Sequence, residues 1–237
     1  MIANVSQASR FIMPIRFLAF ILVLLMPASA QDEAKKDAAG PFQVRFLAEH
    51  APPELGKVVL VIGETNSAPI TLPTNHLSEP LPVSARTMVL KTEEKGISLC
   101  TINLPEAGKA FAVVLVTAKP AGFNPIVVRT DDPTFKAGDV FFINRSDKTV
   151  LGKLGGTPLV LKPGASVKNR PSDPVDNTYY DIAFATRDET GDKIISSSRW
   201  PIDENLRSYL FFFTDAKGKT NFRAVDEYMV PPAAAKP

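Results

Sequence analysis

Histidine and cysteine are the first residue types to test for chemistry, because they ligate metals and serve as bases or nucleophiles. The sequence contains only His50, His76 and Cys100. A zinc site needs three or four converging ligands, and a copper site needs Cys, His and Met in close spacing. The two histidines lie in separate turn-like segments, and Cys100 lies in the alternating run "ISLCTIN". We therefore predict no metal, no cofactor and a buried Cys100 thiol.

Hydrolytic chemistry has no sequence signature either. There is no G-x-S-x-G, and no histidine follows His76, so a serine in the second half would lack a base. Acid pairs at Asp131-Asp132, Glu93-Glu94 and Asp226-Glu227 fall in or beside predicted turns or strand ends. Solvated charge is the ordinary outcome at such positions. The prediction is a protein that is not an enzyme, with a hydrolase using an unrecognised site as an alternative.

The stretch "KTVLGKLGGTPLVLKPG", residues 148–164, could cradle an anion or form the turn of a β-hairpin. A nucleotide loop would need G-x-x-x-x-G-K-[ST] leading into a helix. Here Gly155-Gly156 leads into Thr157-Pro158 and another apolar run. The corresponding place in the first half holds "GETNSAP", a polar turn. The pattern favours a tight hairpin turn at Gly155-Gly156, where glycine tolerates a positive φ.

The charges of this region are asymmetric. Residues 148–170 contain no acid, whereas residues 173–192 are mainly acidic. One interpretation is a surface for a protein or glycan partner; the other is lysines that protect strand edges from pairing. The candidate partner-binding residues are Lys148, Lys153, Lys162, Lys168 and Arg170.

The elements that carry these residues are predicted to be strands. Short apolar or alternating runs such as "KVVLVIG", "TMVLKT" and "FAVVLVTA" recur between Pro, Gly and Asn, which is typical of an all-β sandwich or barrel. The 21 prolines also argue against long helices.

The two halves of the chain resemble each other in order and apolar phase, which indicates an internal repeat. We predict two tandem antiparallel β-sandwich domains, 42–132 and 136–230, joined through "DDPTFKAG". Trp200 then corresponds to Leu104, which favours a core position over a sugar-binding platform. The matched positions are Val59-Leu60 with Val150-Leu151, Gly63 with Gly155, "TMVLKT" with "DIAFAT", Leu104 with Trp200, and Phe111 with Tyr209.

The N-terminus has the pattern of a signal peptide. Arg10 and Arg16 precede the apolar run "FLAFILVLLM", and "PASA" ends at Ala30. We predict a signal peptide over 1–30, with translation starting at Met1 or Met13. A flexible lead over 31–41 and a loose tail over 231–237 flank the domains. Export to the periplasm or the extracellular space follows, with no transmembrane segment after cleavage.

The predicted mature chain is electrically neutral. Without Arg10 and Arg16, the 27 basic residues fall to the number of acidic ones, 25. A neutral chain gives no electrostatic reason to bind nucleic acid.

In "VRFLAEHAPP…LVIG…PITLP…LPEAGKAFAVVLV" each half resembles the immunoglobulin-like sandwich domains of exported bacterial proteins of unknown function. The second half, with "GDVFFINRSDKTV…LVLKPG…YYDIAFAT", looks like a divergent copy. The resemblance implies an Ig-like fold and an exported, non-catalytic structural or interaction protein of the envelope. The two-domain periplasmic pilus chaperones share this layout, so a chaperone for an exported subunit is an alternative.

Overall fold

A computed structural model describes residues 40–118, 120–189, 191–215 and 217–229. The predicted signal peptide, nearly all of the predicted lead and the predicted tail lie outside these residues. The described part is all-β apart from a three-residue 3-10 turn at Pro53–Leu55, which confirms the predicted fold class. None of its helices is long and apolar enough to cross a membrane.

The first half folds into two four-stranded sheets. We call β4-β1-β7-β8 the first inner sheet and β3-β2-β5-β6 the first outer sheet. The strands are β1 (Phe42–Ala48), β2 (Val58–Ile62), β3 (Thr65–Asn66), β4 (Leu81–Val83), β5 (Thr87–Thr92), β6 (Ser98–Asn103), β7 (Ala110–Thr117) and β8 (Phe123–Arg129).

The second half repeats this topology strand for strand. The second inner sheet is β12-β9-β15-β16, and the second outer sheet is β11-β10-β13-β14. Each strand corresponds to the one eight places earlier. The strands are β9 (Val140–Asn144), β10 (Thr149–Leu154), β11 (Thr157–Leu161), β12 (Ser166–Asn169), β13 (Tyr179–Asp188), β14 (Gly191–Pro201), β15 (Leu206–Thr214) and β16 (Thr220–Tyr228).

A register irregularity recurs at the same place in both halves. Pairing shifts between Leu90 and Lys91 where β5 meets β6, and between Phe184 and Ala185 where β13 meets β14. The predicted match of "TMVLKT" with "DIAFAT" places Leu90 on Phe184, so the internal repeat is confirmed down to this bulge. A bulge bends its strand and increases the local twist, so it is a specific feature of a fold and its recurrence supports the repeat.

Two of the sequence matches are wrong by one residue. Val58 pairs with Thr92 as Val150 pairs with Thr186, so Val150 corresponds to Val58 and not to Val59. The β7–β8 and β15–β16 hairpins close at Thr117 and Thr214, so these two threonines are equivalent in the repeat. Counting back along each strand, Tyr209 corresponds to Ala112 and not to Phe111. These strands are apolar at successive positions, so a slip that exchanges the two faces leaves the sequence pattern unchanged.

Each half also contains one parallel pair, so its inner sheet is mixed and not wholly antiparallel as predicted. Strand β1 runs parallel to β7, and β9 runs parallel to β15. The alternating pattern of a strand specifies which face is buried but not the direction of its neighbour. Within each half, the two strands of the parallel pair therefore end on the same side of the inner sheet.

The four sheets stack as four layers with three apolar cores. One core lies between the two sheets of each half. The third lies between the two inner sheets, where Val114 and Val116 of β7 pack with Tyr209 and Phe211 of β15. Strands β7 and β15 are therefore buried on both faces, which explains why their sequences are almost continuously apolar.

The hairpin turn predicted at Gly155-Gly156 is confirmed. These two residues connect β10 to β11, and Gly155 has a φ of 58°. A Cβ at Gly155 would lie 1.7 Å from the backbone oxygen of Ser172, so no other residue fits without movement. Gly63 takes the same φ between β2 and β3.

Cys100 lies on β6 and packs against the first core. Burial raises the pKa of its thiol from 9.0 to about 11. At pH 8 we expect maleimide to label the native protein about a hundredfold more slowly than the unfolded chain, because the thiolate is the reactive form. Stability should then fall as the pH rises from 9 to 11, where only the unfolded thiol ionises. Equal labelling rates in native buffer and in denaturant would contradict this account.

Candidate functional site

A buried polar network crosses the boundary between the halves. Glu227 of β16 is 9% exposed and accepts from Arg207 Nε at 2.6 Å and from Arg45 Nη1 at 2.8 Å. Arg207, 3% exposed, also donates to the backbone oxygens of Thr130 and Phe135. The sequence predicted a solvated carboxylate at Glu227. That prediction is wrong, because β16 turns this side chain toward the first half.

Tyr209 completes the network. Its hydroxyl donates to Glu227 Oε2 at 3.1 Å. Burial, followed by the negative charge of Glu227, raises the pKa of Tyr209 well above its ordinary value. The tyrosine therefore stays neutral and acts as a fixed donor, and the cluster joins the two halves.

Two of the predicted partner-binding residues hold the linker between the halves. Lys168 forms an ion pair with Asp132 at 3.5 Å, and Arg170 forms one with Asp139 at 2.6 Å. Hydrogen bonds from Thr134 and the positive charge of Lys168 lower the pKa of Asp132. Between these pairs Phe135 is buried against Tyr209. The linker is thus fastened at both ends, and these two cations have structural contacts.

The other three candidates belong to the second outer sheet. Lys148 pairs with Asp188 at 3.4 Å. Lys153 is exposed on the outer face of β10, and Lys162 is exposed just after β11. The structure therefore does not gather the five residues into one patch, but leaves Lys153 and Lys162 on the surface of the outer sheet.

A cleft of about 670 Å³ opens at the end of the inner sheets where β1, β7, β9 and β15 finish; we call it the junction cleft. The parallel pairs explain its position, because strands that run in the same direction end on the same side. Its lining is Glu49, His50, Thr117, Arg145, Asp147, Phe211, Phe213, Thr214 and Arg223. The sequence did not predict this cleft. Most of its polar lining residues stand singly at or just after the ends of different strands, where they form no motif.

Strand β14 presents an open edge. It pairs only with β13 among the described residues, and it is the last strand of its sheet. Its central residues 194–198 carry no charge, and Ile194 is 79% exposed. Ile194 ends an apolar row across the outer face that runs through Ala185 and Leu151 to Val160, itself 66% exposed.

The equivalent strand of the first half is shielded. Ile102 of β6 is fully buried, whereas its counterpart Ser198 is exposed. At Gly122, ahead of β8, a Cβ would lie 2.3 Å from the backbone oxygen of Leu99, so this turn crosses close to β6. A Cβ at Gly218, in the corresponding turn of the second half, would meet nothing within 4 Å.

Trp200 lies where the repeat predicts it. It is on β14 and pairs with Tyr180 of β13, and its counterpart Leu104 comes directly after β6, the strand that corresponds to β14. It is half-buried, and its ring meets Phe184 edge-on at 6.0 Å between centroids. The interpretation of Trp200 as a core residue agrees with this packing against the core between the two sheets of the second half.

Within the described residues, no three His, Cys, Asp or Glu side chains converge as a metal site would require. His76 Nδ1 is hydrogen-bonded to Asn75, and His50 lines the junction cleft. Comparisons with protein-family models and with curated proteins gave no match for this chain. The junction cleft and the edge of β14 are the two candidate sites of this chain.

Proposed function

We propose that this chain is an exported, non-catalytic interaction protein of the bacterial envelope, which binds an extended segment of a partner protein along β14. The carrying observation is the difference between two halves of identical topology. The first half shields its edge strand β6, and the second half leaves β14 uncovered.

An open strand edge recognises extended polypeptide, because its free N–H and C=O groups can form another ladder of hydrogen bonds. Natural edges are usually blocked by charge, but residues 194–198 have none. A partner strand would cover Ile194 and extend its apolar row. Lys153 shares a second row with Ala183 and Ser197, roughly 10 Å from the edge, where it would favour an acidic partner surface.

The proposal of export depends on the sequence pattern of residues 1–30. The proposal that the protein is not an enzyme is supported by the contacts of its nucleophiles and bases: no hydroxyl or thiol in the described ranges is hydrogen-bonded to a histidine. A chaperone for an exported subunit is a second candidate, favoured by the same edge. It would hold its partner's strand transiently, whereas a structural protein would form a lasting stoichiometric complex.

Strand addition can be tested with peptides selected against the purified protein from a displayed library of nonapeptides. We expect Ile194→Lys with Ser197→Lys to weaken binding about tenfold or more, because charges on an edge oppose pairing. The matched control is Ser98→Lys with Thr101→Lys on β6, at the corresponding exposed positions. Fluorescence anisotropy measures the affinities.

Hydrogen exchange locates the contact. On binding, backbone amides of residues 194–198 should become protected, while those of β6 stay unchanged. Failure to select any peptide, or an equal loss of affinity in the control variant, would overturn the assignment to β14.

A further inference from the structure

The junction cleft contains an arginine whose Nε has no acceptor among the described residues. Arg145 follows β9, and its backbone N–H donates to Phe212 at 2.7 Å, which fixes the residue at the cleft. Its side-chain Nε is buried and has no hydrogen-bond partner within the part of the chain that the structure describes. The only other such buried side-chain atom in the described ranges is Thr220 Oγ1, which does not line the cleft.

This is unusual within the same molecule. The other arginines of the described part each have a carboxylate or carbonyl partner, by a hydrogen bond or, for Arg199, by an ion pair at 3.6 Å: Arg45, Arg86, Arg129, Arg170, Arg187, Arg199, Arg207 and Arg223. A buried donor that loses water without gaining an acceptor destabilises the fold. A guanidinium whose Nε is kept in this state beside a cleft is poised for an acceptor supplied from outside.

The cleft's own acids are already engaged. Glu49 accepts from the Thr117 N–H at 3.0 Å, and Asp147 accepts from the Thr214 hydroxyl at 2.9 Å. Neither forms an ion pair with Arg145 within the described residues. Their negative charge offsets that of the two arginines in the lining, so the lining as a whole does not favour a doubly charged phosphate.

The remaining walls are cationic and apolar. Arg223 donates to the Glu49 backbone oxygen at 2.9 Å and lies over the ring of Phe211. Phe211 and Phe213 line the cleft beside it. A guanidinium matches a planar carboxylate with two parallel hydrogen bonds, and the partly exposed ring of Phe213 would pack on an apolar group next to that carboxylate.

We propose that the junction cleft is a binding site for a carboxylate attached to an apolar group, with Arg145 as its principal donor. The carboxylate comes from a small organic acid or from an acidic side chain of a polypeptide. The site lies at the ends of the inner sheets and is separate from the edge of β14, so it does not depend on strand addition.

The test uses the purified protein and two probes, phenylacetate and an acetyl-Phe-Glu peptide amide, followed by the backbone NMR shifts of Asp147 and Thr214. We expect saturable shifts with these probes. The neutral analogue phenylacetamide should bind at least about tenfold more weakly than phenylacetate. Arg145→Gln should lose at least about tenfold in affinity, and Arg145→Lys should lose less. Arg187→Gln, which removes an exposed arginine on β13, is the control and should bind normally.

The melting temperature separates a ligand-binding arginine from a structural one. Without probe, Arg145→Gln should melt no lower than the wild type, because it removes an unsatisfied buried donor. Binding of phenylacetate assigns the site to small acids, and binding of the peptide alone assigns it to polypeptide. No shift with either probe, undiminished binding by Arg145→Gln, or a clearly lowered melting temperature of that variant would overturn the proposal.

Discussion

Replacing Glu227 by glutamine is expected to lower the free energy of unfolding by about 3–5 kcal/mol. The change preserves shape but removes the negative charge that compensates Arg207 and Arg45. Arg207 is 3% exposed and would be left as a buried cation whose remaining partners, the new amide and the backbone oxygens of Thr130 and Phe135, are all neutral. Urea denaturation of the wild type and the variant measures the difference.

The neighbouring Asp226 provides a matched control. It lies one residue away on β16, is exposed, and accepts a hydrogen bond from Ser208. Asp226→Asn should cost less than about 1 kcal/mol, because exposed charges are solvated in both states. A loss of similar size in both variants would show that burial at the junction is not what makes Glu227 important.

The sequence was sufficient to predict the fold class and the repeat, because both depend on features that a β-sandwich imposes locally. The spacing of apolar runs marked most strands, and Gly155 marked a turn that only glycine accommodates. The match of Leu90 with Phe184 was correct because "TMVLKT" and "DIAFAT" alternate, and alternation specifies which face is inside.

The packing of the two halves could not be predicted, although its signal was present. Strands β7 and β15 are apolar at nearly every position, which is typical of strands covered on both faces, and both are buried. Nothing in a local pattern says what covers the second face, because this depends on contacts between residues about a hundred positions apart. The same limit hid Glu227, whose partner Arg45 is 182 residues away.

Candidate sites were harder still to identify from sequence. The lysine-rich segment attracted attention by composition, yet Lys168 and Arg170 serve the linker. Arg145 has no sequence pattern around it, since what distinguishes it is a buried Nε that has no acceptor among the residues described. The edge of β14 was equally inaccessible, because a strand's position within its sheet is a property of topology.

The shared core between the inner sheets leads to the second large expected effect: neither half should fold alone. A fragment of residues 40–132 would expose Val114, Val116 and Val128 of the inner sheet to water, and one of residues 133–229 would expose Ile143 and Phe211. Exposing each large side chain costs roughly 1.5–3 kcal/mol, and the sum approaches the 5–15 kcal/mol stability of a typical whole protein.

We therefore expect each fragment, expressed separately, to aggregate or to remain unfolded by circular dichroism. Co-expressed, the two should associate into a one-to-one complex, because the apolar faces and the Glu227 network are complementary. The intact chain should unfold in a single calorimetric transition, since the halves cannot lose their common core one at a time. Two separate transitions, or two soluble monomeric fragments with native β spectra, would show that the halves are independent domains and that the third core contributes little to stability.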